Sequence, residues 1–388
     1  MKFFKSLPAR LLLAIATGIL AGLVLPRGAM VVVVTAKYIL GQIIMFCVPL
    51  IIIGFIAPSI CKLGGGATRM LTVAVILAYA SSVLAAFMSM FAGYAIIPHL
   101  NIITDPEGLR ELPAVAFQLD IPQIMPVMSA LVFSMLLGLA VVWTRSRVTS
   151  SILLEFQNIV LEIVKRIIIP ILPFFIATTF CGLAWEGSIT HQLPIFLVVI
   201  LIVMVGHFIW LAVLYGSASV YSGRSGREVV SHYGPAYLTA VGTMSSAATL
   251  GVALECARKS KNLRPDLVDF GIPLFANIHL CGSVLTEVFF VMTISKVLYG
   301  KLPTLSSMIL FCLLLGVFAI GAPGVPGGTV MASLGLITGV LGFDSDGTAL
   351  MLAIFALQDS FGTACNVTGD GAIAMLMDAI TGKKASKA

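Results

Sequence analysis

The feature that most constrains this chain is a series of long apolar runs. Eight of them reach the length of about 18 residues that crosses a bilayer as a helix, and they occupy residues 8–25, 30–60, 70–98, 124–143, 155–184, 192–215, 267–298 and 347–381. Of the 388 residues, 59% are apolar and 10% are charged, whereas soluble domains are roughly 45–50% apolar and about 25% charged. The sequence therefore predicts an all-α polytopic membrane protein with eight transmembrane helices.

The basic residues indicate the orientation of these helices. Lys and Arg gather in segments on the same side as both termini, for example at Arg258, Lys259 and Lys261, whereas the long loop around Asp105 is acidic. Because cytoplasmic loops carry the excess of Lys and Arg, we expect a multi-pass protein of the cell inner (plasma) membrane with both termini cytoplasmic. The first run lacks a cleavage pattern and predicts a retained helix. The basic balance is thus a topology signal, and no nucleic-acid partner is expected.

Two further segments are too broken to be ordinary spanning helices. Segment 228–256 is rich in Ser, Thr and Gly, and segment 305–342 is interrupted by Gly-Ala-Pro-Gly-Val-Pro-Gly-Gly at 321–328. Prolines and glycines at this density cannot continue a helix. Non-helical backbone is tolerated at membrane depth only where protein or water satisfies its amides. We predict two re-entrant helical hairpins, with two kinked helices as the alternative. Paired broken segments indicate a transporter substrate site at the interface of inverted repeats.

Four motifs in the last third resemble those of the glutamate-transporter superfamily of dicarboxylate and amino acid:cation symporters. They are Ser-Ser-Ala-Ala-Thr-Leu at 245–250, Pro-Leu-Phe-Ala-Asn-Ile-His-Leu-Cys-Gly-Ser at 273–283, Gly-Val-Pro-Gly at 324–327, and Asp-Ser-Phe-Gly-Thr-Ala-Cys-Asn-Val-Thr-Gly-Asp at 359–370. In order and spacing they are most similar to the bacterial serine/threonine–sodium symporter branch. The first 220 residues match only in helix count.

The resemblance implies a division of the chain. Residues 1–220 are expected to form six transmembrane helices, which comprise a scaffold for trimerisation and peripheral helices of the transport domain. Residues 221–388 are expected to form the core transport unit, with a first hairpin at 228–258, helix seven at 265–298, a second hairpin at 305–342 and helix eight at 347–382. The resemblance further implies alternating access by movement of this unit, and a homotrimer surrounded by membrane lipid.

The resemblance also implies the site residues. Asp359 would receive a substrate ammonium group, and the other substrate contacts would be Ser245, Ser246, Ser283, Val325, Gly327, Thr329, Gly362, Thr363 and Asn366. A sodium ion, which prefers oxygen ligands, would bind the carboxylate of Asp370. The remaining cation ligands would be Phe275, Asn277, His279, Ile320, Ala322 and Asn366. Spacing alone puts Asp359, Thr363 and Asn366 on one helical face, where helix–helix hydrogen bonding is the alternative role of Thr363 and Asn366.

One departure from the family motif concerns ions. Cys281 stands where the family carries an aspartate, and a soft thiol is a poor ligand for a hard cation. One sodium site is therefore predicted to be lost. Glu287 matches a glutamate of proton-coupled members and is a possible proton carrier. His279, whose side chain titrates near neutral pH, is either a satisfied core residue or a second proton carrier.

Another departure concerns the substrate. Gly362 stands where members that carry acidic substrates have an arginine, and Thr329 stands where they have glycine. An acidic side chain would be buried unpaired, while Asp359 favours an ammonium group. We therefore predict a sodium-coupled symporter that imports a small neutral amino acid such as serine, threonine or alanine. The alternative is a proton-coupled or sodium-coupled transporter of acidic amino acids or C4-dicarboxylates.

Other classes of function fit the sequence less well. Asp359 and Asp370 are 370 − 359 = 11 residues apart, about 16 Å along a helix axis, which is too far to share a proton or a water. We predict that the chain is not an enzyme and needs no organic cofactor; its coupling ion is Na+, with H+ as the alternative. An ion channel, the remote alternative, would require a continuous polar pore.

Overall fold

The chain folds entirely into helices and connecting loops in the part that the computed structural model describes. That part comprises residues 7–64, 69–100, 102, 110–187, 189–322, 324 and 326–382, and it contains no strand. The α-helices are α1 (Leu7–Val24), α2 (Arg27–Gly64), α3 (Arg69–Ile96), α4 (Val127–Thr144), α5 (Arg147–Ile163), α6 (Ile169–Glu186), α7 (Ile189–Ser222), α8 (Gly226–Ser231), α9 (Gly234–Thr243), α10 (Ser246–Lys259), α11 (Pro265–Ile278), α12 (Cys281–Tyr299), α13 (Leu305–Gly321), α14 (Gly328–Gly339) and α15 (Ser345–Gly382). The predicted all-α class is confirmed.

Length and composition identify membrane-crossing helices. Six stretches of the described chain are long and apolar enough to span a bilayer: Arg27–Pro58, Met70–His99, Arg147–Glu186, Pro194–Ser222, Pro265–Tyr299 and Ser345–Thr381. The helices α1 and α4 are also apolar, and each has 18 residues, which is near the lower limit for a span. Side chains such as Leu201 and Val205 on α7 are more than half exposed, as expected for a surface whose solvent is lipid. The chain is thus a multi-pass membrane protein.

The fifth span begins earlier than its apolar run suggests. We expected it at residue 155, but α5 starts at Arg147, where the Ser146 side chain accepts from the Thr149 N–H. It continues into α6 through a π-helical turn at Val164–Ile168. This turn precedes Pro170, whose ring cannot coexist with a regular α-helical bond to the carbonyl four residues earlier. The apolar run did not include this start because the first residues of α5 are polar.

The last third contains the broken elements. The first hairpin is formed by α9 and α10, the second by α13 and α14, and helix seven is divided into α11 and α12 at His279 and Leu280, which leave helical geometry. Helix eight, α15, runs for 38 residues without a break. The spans Pro265–Tyr299 and Ser345–Thr381, which contain α12 and nearly all of α15, lie in the interior, since 89% and 83% of their most apolar 18-residue segments are buried.

An ion-pair cluster ties α15 to the loops at its C-terminal end. The carboxylate of Asp378, which is 1% exposed, pairs with Arg224 and lies 3.5 Å from Arg264. Arg224 also donates to the Asn262 carbonyl oxygen over 3.0 Å. The cluster therefore joins α15 to the chain on either side of the first hairpin.

Asp378→Asn is expected to lower the free energy of unfolding by about 1–2 kcal/mol, because charge-assisted hydrogen bonds at a buried carboxylate would be lost. The matched control is Asp269→Asn, since Asp269 pairs with Arg258 and both side chains are more than half exposed. Such exposed pairs contribute about 0–1 kcal/mol. Thermal unfolding of both variants in detergent checks this prediction, and equal melting temperatures would contradict it.

Candidate functional site

The tips of the two hairpins meet each other beside α15. The Ser245 hydroxyl of the first tip donates to the Gly324 carbonyl oxygen of the second over 2.7 Å. The Gly327 N–H of the second tip donates to Asp359 Oδ2 over 2.7 Å. Both tips thereby close over the face of α15 that carries Asp359.

Three helices begin at this place, namely α10 at Ser246, α12 at Cys281 and α14 at Gly328. Ser245 caps α10 by accepting from the Ala248 N–H over 3.2 Å. Gly327 precedes α14 with a φ of +71°, a left-handed conformation that glycine adopts at little cost. Helix N-termini present free N–H groups and a partial positive charge. The site can therefore attract a carboxylate without a basic side chain.

The charges buried in the described residues are acidic. Glu287, Asp359, Asp370 and Asp378 are buried there, and no Lys or Arg is among the buried residues of that part of the chain. Asp359 Oδ1 lies 3.5 Å from the Thr363 hydroxyl. A buried carboxylate in this position needs a cationic partner or a proton. An ammonium group would satisfy it.

Asn366 joins α15 to the start of α12. Its Oδ1 accepts from the Gly282 N–H over 2.7 Å and from the Ser283 N–H over 3.2 Å, and its Nδ2 donates to Ser283 Oγ over 2.9 Å. Asn366 thus serves as a remote cap for two free amides of α12. In this structure Asn366 makes helix–helix hydrogen bonds, which is the alternative role that the sequence left open for it.

Gly362 lies where α15 packs closely on α12. A Cβ atom at this position would lie 3.3 Å from Ser283 Cα and 3.4 Å from Ser283 N, which is tighter than ordinary contact. Gly362 is therefore a packing residue here as well as a position without a side-chain cation.

The remaining predicted substrate residues lie at the starts of the hairpin helices. Ser246 is the first residue of α10, and Thr329 is the second residue of α14; both are buried. Val325 lies outside the described residues. With Val325 excepted, the structure brings the predicted substrate residues to the junction of α10, α12, α14 and α15.

The predicted cation residues lie at the ends of two helices. Phe275, His279, Asn366 and Asp370 lie where α11 ends and α15 passes, whereas Ile320 and Ala322 lie at the C-terminal end of α13. Helix C-termini present carbonyl oxygens that lack a helical partner, which suits a cation. The side chain of Asn277 is exposed, and its Nδ2 donates to the Pro273 carbonyl oxygen of its own helix. Its amide is therefore directed away from the other predicted cation residues.

Glu287 lies deeper on α12 and pairs with the second hairpin. Its Oε1 accepts from the Ser333 hydroxyl of α14, and its Oε2 has no hydrogen-bond partner among the described residues. Its side chain is fully buried. The carboxyl group therefore connects the interior of helix seven to the second hairpin.

Two polar contacts of the site were missed from the sequence. His207 on α7 bonds the Gly282 carbonyl oxygen and Thr286 Oγ1, at 3.0 and 2.9 Å. Ser81 on α3 bonds His279 Nε2 at 2.8 Å. The only sequence signal for either residue was a polar side chain inside a predicted membrane span.

Comparison with known proteins decides the family. The sequence profile of the Sodium:dicarboxylate symporter family matches residues 7–380. The chain belongs to this family. The resemblance seen in the motifs is thereby confirmed, and the family is one of sodium-coupled transporters rather than enzymes.

Individual relatives are more distant. The chain is 24% identical over 279 residues to glt-4 of Caenorhabditis elegans, which is named as a sodium-dependent excitatory amino acid transporter; the match covers 70% of this chain and 55% of the relative. It is 27% identical over 229 residues to human excitatory amino acid transporter 2, covering 57% and 39% of the two chains. The matched region thus spans about half or less of these relatives.

Proposed function

We propose that this chain is a sodium-coupled symporter that carries a zwitterionic amino acid across the membrane. The observation that carries the proposal is the buried carboxylate of Asp359, which lies beside the starts of the hairpin helices without a buried basic partner in the described chain. The substrate ammonium group would bind Asp359, and its α-carboxylate would face the N–H groups of the tips. No organic cofactor takes part.

Acidic amino acids are the first candidate substrate class. They are favoured by the names of the relatives, which are excitatory amino acid transporters. The α10, α12 and α14 N-termini supply partial positive charge near α15, and this charge would lower the penalty of a second substrate carboxylate.

A small neutral amino acid is the second candidate. It is favoured by Gly362, which replaces the expected arginine, and by the absence of buried Lys and Arg from the described chain. A side-chain carboxylate buried without a cation would be strongly unfavourable. Serine, threonine and alanine avoid this penalty.

The test is uptake of radiolabelled serine, threonine, alanine, aspartate and succinate by proteoliposomes with an imposed sodium or proton gradient. Sodium-driven uptake of serine that excess aspartate leaves unchanged would select the neutral class. Preferential aspartate uptake would select the acidic class, and the helix N-termini would then supply the missing positive charge. Succinate uptake without amino-acid uptake would contradict the role of Asp359. A steady sodium current without substrate would indicate a channel.

Three expectations remain predictions from the resemblance and the charge pattern: movement of the core transport unit, trimeric assembly and cytoplasmic termini. We also propose that closure of the second hairpin acts as the outer gate. The contact between the hairpin tips, from Ser245 to Gly324, supports the gating proposal. An outward-open state would have to break this contact and the bond from Gly327 to Asp359.

Glu287→Gln is expected to make uptake insensitive to an imposed proton gradient, if Glu287 carries a coupled proton. The glutamine amide keeps the size of the carboxyl group but cannot bind and release a proton over the pH range of an uptake measurement. The measurement is the initial uptake rate as a function of external pH at fixed sodium. Wild-type uptake should rise as the outside becomes more acidic, while the variant's rate should stay flat.

The matched control is Ser333→Ala, which removes the hydroxyl that contacts Glu287 but leaves the carboxyl group. This variant should keep a pH response. An unchanged pH response in Glu287→Gln would rule out the proton-carrier role.

A further inference from the structure

The carboxylate predicted to bind sodium is already bound by a side chain. Asp370 Oδ1 lies 2.9 Å from His279 Nδ1, and the other ring nitrogen of His279 lies 2.8 Å from Ser81 Oγ. His279 and Asp370 are 0% and 1% exposed. The imidazole thus bridges α3 and α15 from the break between α11 and α12.

The other predicted ligands of this ion are also engaged. The Phe275 carbonyl oxygen accepts from the His279 N–H over 2.9 Å. The Asn366 amide is bonded to Gly282 and Ser283 at the start of α12. A sodium ion requires several oxygen ligands around one point. Three oxygens assigned to that point, namely Asp370 Oδ1, the Phe275 carbonyl oxygen and Asn366 Oδ1, therefore already accept hydrogen bonds from the protein itself.

The chain makes room for the imidazole at this position. A Cβ atom built on Gly369 would lie 3.0 Å from His279 Cε1 and 3.4 Å from Cys281 Sγ. Glycine at 369 therefore allows the ring to lie against α15 next to Asp370. The neighbouring Cys281 offers sulfur, a poor ligand for sodium. Geometry and ligand chemistry agree that this place does not suit a hard cation.

We propose that the imidazole of His279 takes the place of a sodium ion at Asp370. The chain then lacks the sodium site at Asp370 as well as the one predicted to be lost at Cys281. The inference rests on the proposed function and deepens it by locating the coupling ion. Sodium would bind instead at the C-terminal end of α13, where the resemblance already places the cation residues Ile320 and Ala322. His279 is then a residue that sets ion specificity.

The test is equilibrium binding of sodium-22 to the purified full-length protein in detergent, without any amino acid. Asp370→Asn should bind as much sodium as the wild type. His279→Asn, which removes the ring, should bind about one more ion per chain. That gain should disappear in the double variant His279→Asn/Asp370→Asn.

Two results would overturn the proposal: loss of about one ion from Asp370→Asn alone, or unchanged sodium binding in His279→Asn. His279→Gln, another side chain without a ring, replaces His279→Asn where that variant does not fold. Asp269→Asn, which neutralises an exposed carboxylate on α11, is the matched control for Asp370→Asn and should bind sodium as the wild type does. Because binding is measured without transport, the result does not depend on uptake. Failure of every amino acid to enter proteoliposomes would contradict the proposed function alone.

Discussion

Asp359→Asn is expected to reduce amino-acid uptake by about 100-fold or more, because the proposed substrate ammonium group would lose the Asp359 carboxylate. Leaving one member of a buried ion pair uncompensated costs about 3–5 kcal/mol, and each 1.4 kcal/mol corresponds to about tenfold in affinity. The variant would also weaken the bond from the Gly327 N–H, which closes the second hairpin. The measurement is the substrate-concentration dependence of initial uptake in proteoliposomes.

Two controls separate this role from folding. Asp269→Asn neutralises an exposed carboxylate on α11 and should leave uptake within about twofold of the wild type. Asp359→Glu keeps the charge but displaces it, and should raise the half-saturating substrate concentration more than it lowers the maximal rate. Wild-type uptake by Asp359→Asn would exclude the ammonium-binding role and remove the main support for an amino-acid substrate.

Much of the fold could be predicted from the sequence because the bilayer imposes a strong pattern. The apolar runs gave the spanning helices, and the Pro-Gly cluster at 321–328 located the second broken helix. The i, i+4 and i+7 spacing on α15 brought Asp359, Thr363 and Asn366 to one face. These are local signals, which depend on the residue types and their order alone.

The parts that could not be predicted depend on distant contacts. Ser81 and His279 are separated by 198 residues, and Arg224 and Asp378 by 154. The sequence left His279 between a core residue and a proton carrier, and the side chain proved to bind the carboxylate that we had assigned to sodium. The predicted start of the fifth span was wrong for a local reason, because the residues of α5 are amphipathic rather than uniformly apolar. For the pairs Ser81–His279 and Arg224–Asp378, the distant partner rather than the residue itself decides the role.

Gly282→Ala is expected to destabilise the protein by at least about 1–3 kcal/mol and to lower uptake by about tenfold or more. The new methyl carbon would lie 2.5 Å from both the Gly362 carbonyl oxygen and Cys365 Cβ, so α12 would have to move away from α15. That movement would stretch the bonds from Gly282 and Ser283 to Asn366 and disturb the site next to Gly362.

The matched control is Gly251→Ala in α10, where a Cβ meets nothing within 4 Å; it should be neutral or stabilise by about 0.5–1 kcal/mol. Thermal unfolding and uptake of both variants check the prediction. A Gly282→Ala protein that melts and transports like the wild type would show that α12 and α15 do not pack this closely, and that the site built on their contact needs revision.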